Sequence, residues 1–130
     1  MFRSVLAVVA GIAALTATSF AIEAVANPLL MRLFPQALPD HAALQHNLPA
    51  TLFLFAYTAL CVAGGGYVTA WIAPRHGVRH AAIMGVIQIG LTVWAMLSIP
   101  EQAPLRNWIT GMALTLPAAW CGGLVRTRTA

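Results

Sequence analysis

Four stretches of this chain stay apolar for about the length that crosses a hydrocarbon core, roughly 20 residues at 1.5 Å each. Within each, small residues recur at alternating spacings of three and four. The pattern predicts spans over residues 4–26, 51–73, 80–99 and 105–125. The first carries Ala7, Gly11, Ala14, Thr18 and Ala21 on one side, and the second Ala56, Ala59, Ala63, Gly66 and Ala70. The third carries Ala81, Gly85, Gln88, Thr92 and Ala95, and the fourth Gly111, Thr115, Ala118 and Gly122. Small side chains in register let helix backbones approach closely, so these seams are predicted to face other helices and not lipid. Together they predict an all-α polytopic membrane protein, a left-handed four-helix transmembrane bundle, with Gly11, Gly64, Gly65, Gly66, Gly85 and Gly122 as packing positions. Beside the second seam, Tyr57, Leu60, Gly64, Tyr67 and Trp71 form a bulkier face.

Breaks in the pattern set the connections. Residues 27–50 carry four prolines, Pro28, Pro35, Pro39 and Pro49, and form the longest non-spanning segment. The apolar run from Pro28 to Phe34 either extends the first helix past a kink or lies in the membrane interface, and Asp40 is placed to cap a short helical turn from His41 to Gln45. The second span ends at Ala73-Pro74, Arg75 to Arg79 reads as a tight turn around Gly77, and Pro100 closes the third span. Pro117 falls inside the fourth and frees the carbonyl of Ala113. The first 26 residues also fit a secretory leader, with Ala24-Val25-Ala26 as a cleavage pattern. Against this, the apolar stretch exceeds the roughly 7 to 15 residues of a leader core, and a discarded segment needs no packing seam. Gly65-Gly66-Tyr67-Val68 echoes Gly122-Gly123-Leu124-Val125, which fits a parallel two-plus-two repeat or a chance of small-residue-rich composition.

Composition agrees with this picture: 60% of residues are hydrophobic and 8% charged, against about 25% charged in soluble domains. All seven basic residues are arginine. Their excess would suggest nucleic acid in a soluble protein, but here they fall at helix ends, which points to anionic lipid headgroups and away from nucleic acid. Arg3, Arg75, Arg79, Arg126 and Arg128 share one side, and Arg75, Arg79, Arg126 and Arg128 form a basic lipid-facing rim. Arg32 and Arg106 share the other side with Asp40 and Glu101. The positive-inside rule then puts both termini in the cytoplasm of a bacterial cell and residues 27–50 in the periplasm, with Trp71 and Trp108 near opposite interfaces. Cys61 and Cys121 lie at different depths within spans, too far apart to bridge, and read as small buried apolar residues.

Candidate chemistry is sparse. Glu23 is the carboxylate within a span and shares a helical face with Thr16, Ser19 and Asn27, roughly opposite the first seam. Counting along the helix from Ser4 at 1.5 Å per residue places it about 30 Å up, at the outer headgroups, where Arg32 or Arg106 could pair with it. Gln88 is expected near mid-membrane, bonded to Thr92, Thr18 or Thr115. His41 with His46 and His76 with His80 form two pairs on opposite sides, so they do not pool into a metal site. No nucleophile, metal or cofactor fingerprint occurs in the chain.

The run Gly64-Gly65-Gly66-Tyr67, followed by Ala70, Ala73-Pro74-Arg75, His80-Ala81 and Gly85, resembles an uncharacterised family of small bacterial inner-membrane proteins with a glycine-rich second span. That resemblance implies four spans and no particular activity. Four spans with a carboxylate in the first are also similar to the small multidrug resistance transporters, although those have short loops and a deeper carboxylate.

Three function classes follow. The first is a noncatalytic protein, accessory to a homo-oligomer or larger membrane complex, and the expected depth of Glu23 favours it. The second is a small oligomeric transporter or channel using Glu23 and Gln88. The third, a membrane enzyme, lacks a converging set of acid, base and nucleophile. The seams predict that leucine at Gly66 or Gly85 separates helices, and that leucine at Val62, read as facing lipid, does not.

Overall fold

The structure, a computed structural model, describes residues 2–73 and 75–129. In chain order its elements are α1 (Phe2–Leu33), a short α2 (His41–His46), α3 (Leu48–Ile72), α4 (Gly77–Ser98), a 3-10 turn (Pro100–Gln102) and α5 (Leu105–Thr129). Four of them, α1, α3, α4 and α5, are long and apolar enough to cross a membrane. The chain is an all-α, multi-pass membrane protein built as a four-helix bundle. Its large apolar side chains point outward as freely as inward, among them Leu60, Trp94 and Leu97. In water such a surface would aggregate, whereas lipid makes it an ordinary exterior.

The helix ends refine the sequence expectation. Of the two readings of the run from Pro28 to Phe34, the structure shows the first: α1 continues past Ala26 through Pro28 to Leu33, so the segment between the first two spans is shorter than residues 27–50. Proline costs this helix one hydrogen bond, to the carbonyl of Ala24, but the apolar run after it gains more by remaining helical against the bundle, where Leu30 and Met31 pack on the core. Asp40 caps α2 as expected, its Oδ1 accepting from the Ala43 N–H at 2.8 Å. Asn47 caps α3 in the same way at Ala50, which starts that helix at Leu48. The turn around Gly77 is tighter than predicted, because Gly77 is already the first residue of α4 and His76 makes the reversal in a left-handed conformation (φ 54°). A Cβ at Gly77 would lie 2.9 Å from the Ala70 carbonyl oxygen, so glycine lets α4 start against the end of α3. Pro74, expected to end the second span, lies outside the described residues.

α3 is the hub, in contact with α1, α4 and α5, and α4 also touches α1 and α5. Glycines mark where backbones meet. A Cβ at Gly66 would run into the backbone carbonyl of Ala119 on α5, and one at Gly122 would run into the carbonyl of Ala63 on α3. On the α1 side, Gly11 faces Thr69 and the Gly65 carbonyl, and a Cβ at Gly65 would lie 2.8 Å from the Gly11 carbonyl. Thr69 is fully buried there because its hydroxyl is satisfied within its own helix, donating to the Gly65 carbonyl at 2.9 Å. On the α4 side, a Cβ at Gly85 would lie 3.0 Å from the Ala119 methyl and one at Gly123 would lie 2.8 Å from the Ala81 methyl. Ala7, Ala81, Met84 and Ala119 are sealed from any solvent.

Several predicted packing positions need correction. Gly64 is exposed and nothing approaches its Cβ position. Consecutive residues of a helix point about 100° apart, so a glycine triplet cannot face a single neighbour. Gly65 turns to α1, Gly66 to α5, and Gly64 joins Leu60, Tyr67 and Trp71 on the outside. Gly111 likewise meets nothing, and Ala56, Thr18 and Ala21 are exposed. Along α1 the contact face is Val8, Gly11 and Leu15 with Ile12 and Ile22, rotated by about one residue from the predicted seam in its second half. Small residues mark a seam only where backbones touch; elsewhere larger side chains fill the gap. Val62, read as lipid-facing, is 2% exposed and belongs to the core, whereas Cys121 is exposed and not buried. Both cysteines are free thiols.

Leucine at Gly66 or Gly122 should therefore push α3 and α5 apart and lower stability by more than the 1–3 kcal/mol or so of ordinary overpacking, because the obstacle is backbone. Leucine at Gly64 should leave stability within about 0.5 kcal/mol. Thermal or denaturant unfolding in detergent micelles would read the difference, and equal losses at Gly64 and Gly66 would refute this packing.

Candidate functional site

The tightly packed part of the bundle is its arginine-rich half. The polar groups with tertiary partners lie in the other half, toward α2. Glu23 is half-buried on α1, and the Tyr57 hydroxyl on α3 donates to its Oε1 at 3.3 Å. Neither predicted arginine is its hydrogen-bond partner: Arg32 and Arg106 are both exposed at the helix ends. Tyr57 is itself buried, with its ring edge-on to Phe53 at a centroid distance of 5.6 Å.

The pair lies away from the ends of both helices. α1 runs ten residues, about 15 Å, beyond Glu23, and Tyr57 lies nine residues, about 14 Å, inside the start of α3. Its polar face also turns inward toward α3: Ser19, Glu23 and Asn27 are half-buried, and only Thr16 is left outside. One turn from Glu23, Asn27 Oδ1 is buried without a hydrogen-bond partner among the described residues. A carboxylate, a phenol and an amide oxygen therefore share the half of the α1–α3 contact toward α2. Such a set can accept protons or hold a small cation, and it raises the cost of any separation of these helices.

Gln88 does not do what its place in the third seam predicts. The Thr92 hydroxyl bonds to the Gln88 backbone carbonyl at 2.9 Å, Thr115 bonds to the Gly111 carbonyl, and Thr18 bonds to the carbonyls of Ala14 and Leu15. Each threonine donates within its own helix, and none of them hydrogen-bonds to the Gln88 side chain.

A second polar cluster was not foreseen from the sequence. Asn107, in the first turn of α5, donates to the Gln45 backbone carbonyl at 2.9 Å and to its side-chain oxygen at 3.0 Å. The buried Thr51 hydroxyl donates to the carbonyls of Leu44 and Gln45, both at 3.1 Å. These bonds satisfy the last carbonyls of α2 and clamp it, through the buried Leu44 and Leu38, across the ends of α3 and α5. The signal available in the sequence was an asparagine just inside an apolar span, where a polar amide needs a partner.

At the opposite end, Arg75, Arg79 and Arg128 are exposed and Arg126 half-buried, consistent with a rim. The His80 ring nitrogen Nδ1 lies 3.1 Å from the His76 carbonyl, while His41 and His46 are exposed at the α2 end. Among the described residues no three His, Cys, Asp or Glu side chains gather as a metal site would require. In comparisons with protein-family models, curated proteins and solved structures, nothing matches this chain.

Two substitutions separate the clusters. Tyr57→Phe keeps the ring against Phe53 and removes the donor to Glu23, so it should cost about 0.5–1.5 kcal/mol, as intramembrane hydrogen bonds do. Asn107→Leu removes the α5 donor, leaving the Gln45 side-chain oxygen unpaired and its carbonyl with Thr51 alone, and should cost about 1–3 kcal/mol, with faster hydrogen exchange confined to α2. Unchanged exchange in α2 would show that the clamp does not hold it.

Proposed function

We propose that this chain is a noncatalytic membrane protein that works as an accessory in a homo-oligomer or larger membrane assembly, through its outward faces. The observation that carries this reading is the closed centre of the bundle. α3 and α5 meet backbone to backbone at Gly66, Ala119, Ala63 and Gly122, and the surrounding Ala81 and Met84 are fully sealed. The two concavities described, of about 600 and 310 Å³, both open sideways at the surface. A solute crossing a single copy would have to part the most closely packed pair of helices. The collection of Arg3, Arg75, Arg79, Arg126 and Arg128 at the end that holds both termini supports a bacterial inner-membrane setting, with those termini in the cytoplasm and the rim against anionic headgroups.

A second reading, a small oligomeric transporter or channel, draws its support from Glu23. An ionisable group held by Tyr57 away from the ends of both helices is where coupled transport would place one. On this reading Glu23 acts at an interface between copies, since the centre of each copy is filled. Gln88 adds little support, because among the described residues no hydrogen bond sets the direction of its side chain.

The purified chain in sealed liposomes should leave proton, cation and small-solute fluxes at the level of protein-free vesicles, and Glu23→Gln should not alter them. A pH-dependent flux abolished by Glu23→Gln in a folded protein would overturn the accessory reading in favour of transport. Orientation is checked separately with single cysteines at Arg75 and Asp40 in a chain freed of Cys61 and Cys121. Labelling by an impermeant thiol reagent from outside intact cells should reach position 40 and spare position 75.

A further inference from the structure

The arginine-rich end carries no acidic side chain. Five of the seven arginines are there, whereas the three acidic side chains are elsewhere: Asp40 and Glu101 at the α2 end, Glu23 in the half of α1 toward α2. The positive charge at this end must be balanced by something outside the chain. The larger of the two concavities, about 600 Å³, lies at the same end, between the first turns of α4 and the second half of α5. Its lining is divided by chemistry. His76, Arg79 and Thr127 supply polar groups, while Val78, Ala82 and Trp120 supply an apolar wall. Trp120 is 54% exposed and opens toward the lipid side of α5. α4 also begins there without a side-chain cap, since Arg79 and His80 both bond back to the His76 carbonyl.

We propose that this concavity binds one anionic glycerophospholipid, its phosphate against Arg79 and His76 and the start of its acyl chains along Trp120, Val78 and Ala82. A free anion would satisfy the arginine but leave the tryptophan wall unused, and a neutral lipid would leave the charge unbalanced. An amphiphile with a negative head meets both halves of the lining. The proposal rests on the reading that the rim faces headgroups, and it goes further by placing one lipid at one depression.

Native mass spectrometry and thermal unfolding of the full chain in detergent test it, with phosphatidylglycerol, phosphatidylcholine and inorganic phosphate as probes. One phosphatidylglycerol should remain bound per chain and raise the unfolding temperature, with phosphatidylcholine and phosphate giving little of either effect. Arg79→Gln should weaken phosphatidylglycerol binding about tenfold, more than the roughly fivefold that one arginine adds to diffuse attraction. Trp120→Ala, which changes no charge, should weaken it several-fold, and Arg32→Gln at the other end should not. Unfolding without lipid confirms that each variant is folded. Equal losses on substituting Arg79 and Arg128, with none for Trp120→Ala, would overturn the pocket while leaving a diffuse basic rim. Equal stabilisation by phosphatidylcholine would overturn both the pocket and the headgroup reading of the rim, and equal stabilisation by inorganic phosphate would overturn the assignment to a lipid.

Discussion

The close crossing of α3 and α5 is the constraint on which the rest of the bundle depends. Lipid tails are as apolar as leucine, so helices in a membrane gain little by hiding apolar surface from them; they gain from close packing and from satisfied polar groups. Here the packing is at the limit of what a polypeptide permits. Gly66 rests on the Ala119 carbonyl and Gly122 on the Ala63 carbonyl, so close that neither site has room for a Cβ. The arrangement is reciprocal: residues 66 and 122, and likewise 63 and 119, are 56 positions apart, so each helix presents the same small pair to the other. This register is one residue away from the glycine echo visible in the sequence. The outer helices do not continue the symmetry, because α4 packs on both central helices whereas the main contacts of α1 are with α3 and α4.

Once α3 and α5 are locked, the remaining contacts divide the molecule into two halves with different chemistry. Toward the arginine-rich end, Gly11, Gly65, Gly85 and Gly123 let α1 and α4 close onto the central pair, and the interior is made of small side chains with Val8, Leu15, Val62 and Met84. Toward α2 the helices are joined by side chains with polar ends: Glu23 with Tyr57, and Asn107 with Gln45. The first half gives a rigid, closed centre. The second keeps the ionisable group of the span in a partly accessible position, where a protonation change or a second copy of the chain could act on it without disturbing the crossing.

The sequence by itself determined the number of spans, their approximate limits, the asymmetry of the arginines, the Asp40 cap and the role of Gly66, Gly85 and Gly122 as packing positions. These follow from local or one-dimensional properties: length of an apolar run, charge count, capping chemistry, and the presence of a residue with no side chain. Only the tertiary structure decided which neighbour each face meets. Gly64 went outside and Val62 inside because α3 is surrounded by three helices and its directions are already assigned by Gly65 and Gly66. Glu23 meets Tyr57 and not Arg32 or Arg106 because its face of α1 packs against α3, and α1 continues through Pro28, where Leu30 and Met31 pack on the core. The hydroxyls of Thr18, Thr92 and Thr115 donate within their own helices, a competition for donors that spacing alone does not reveal. The Asn107 clamp on α2 joins residues 62 positions apart, and no periodicity within a single helix carries information about such a contact.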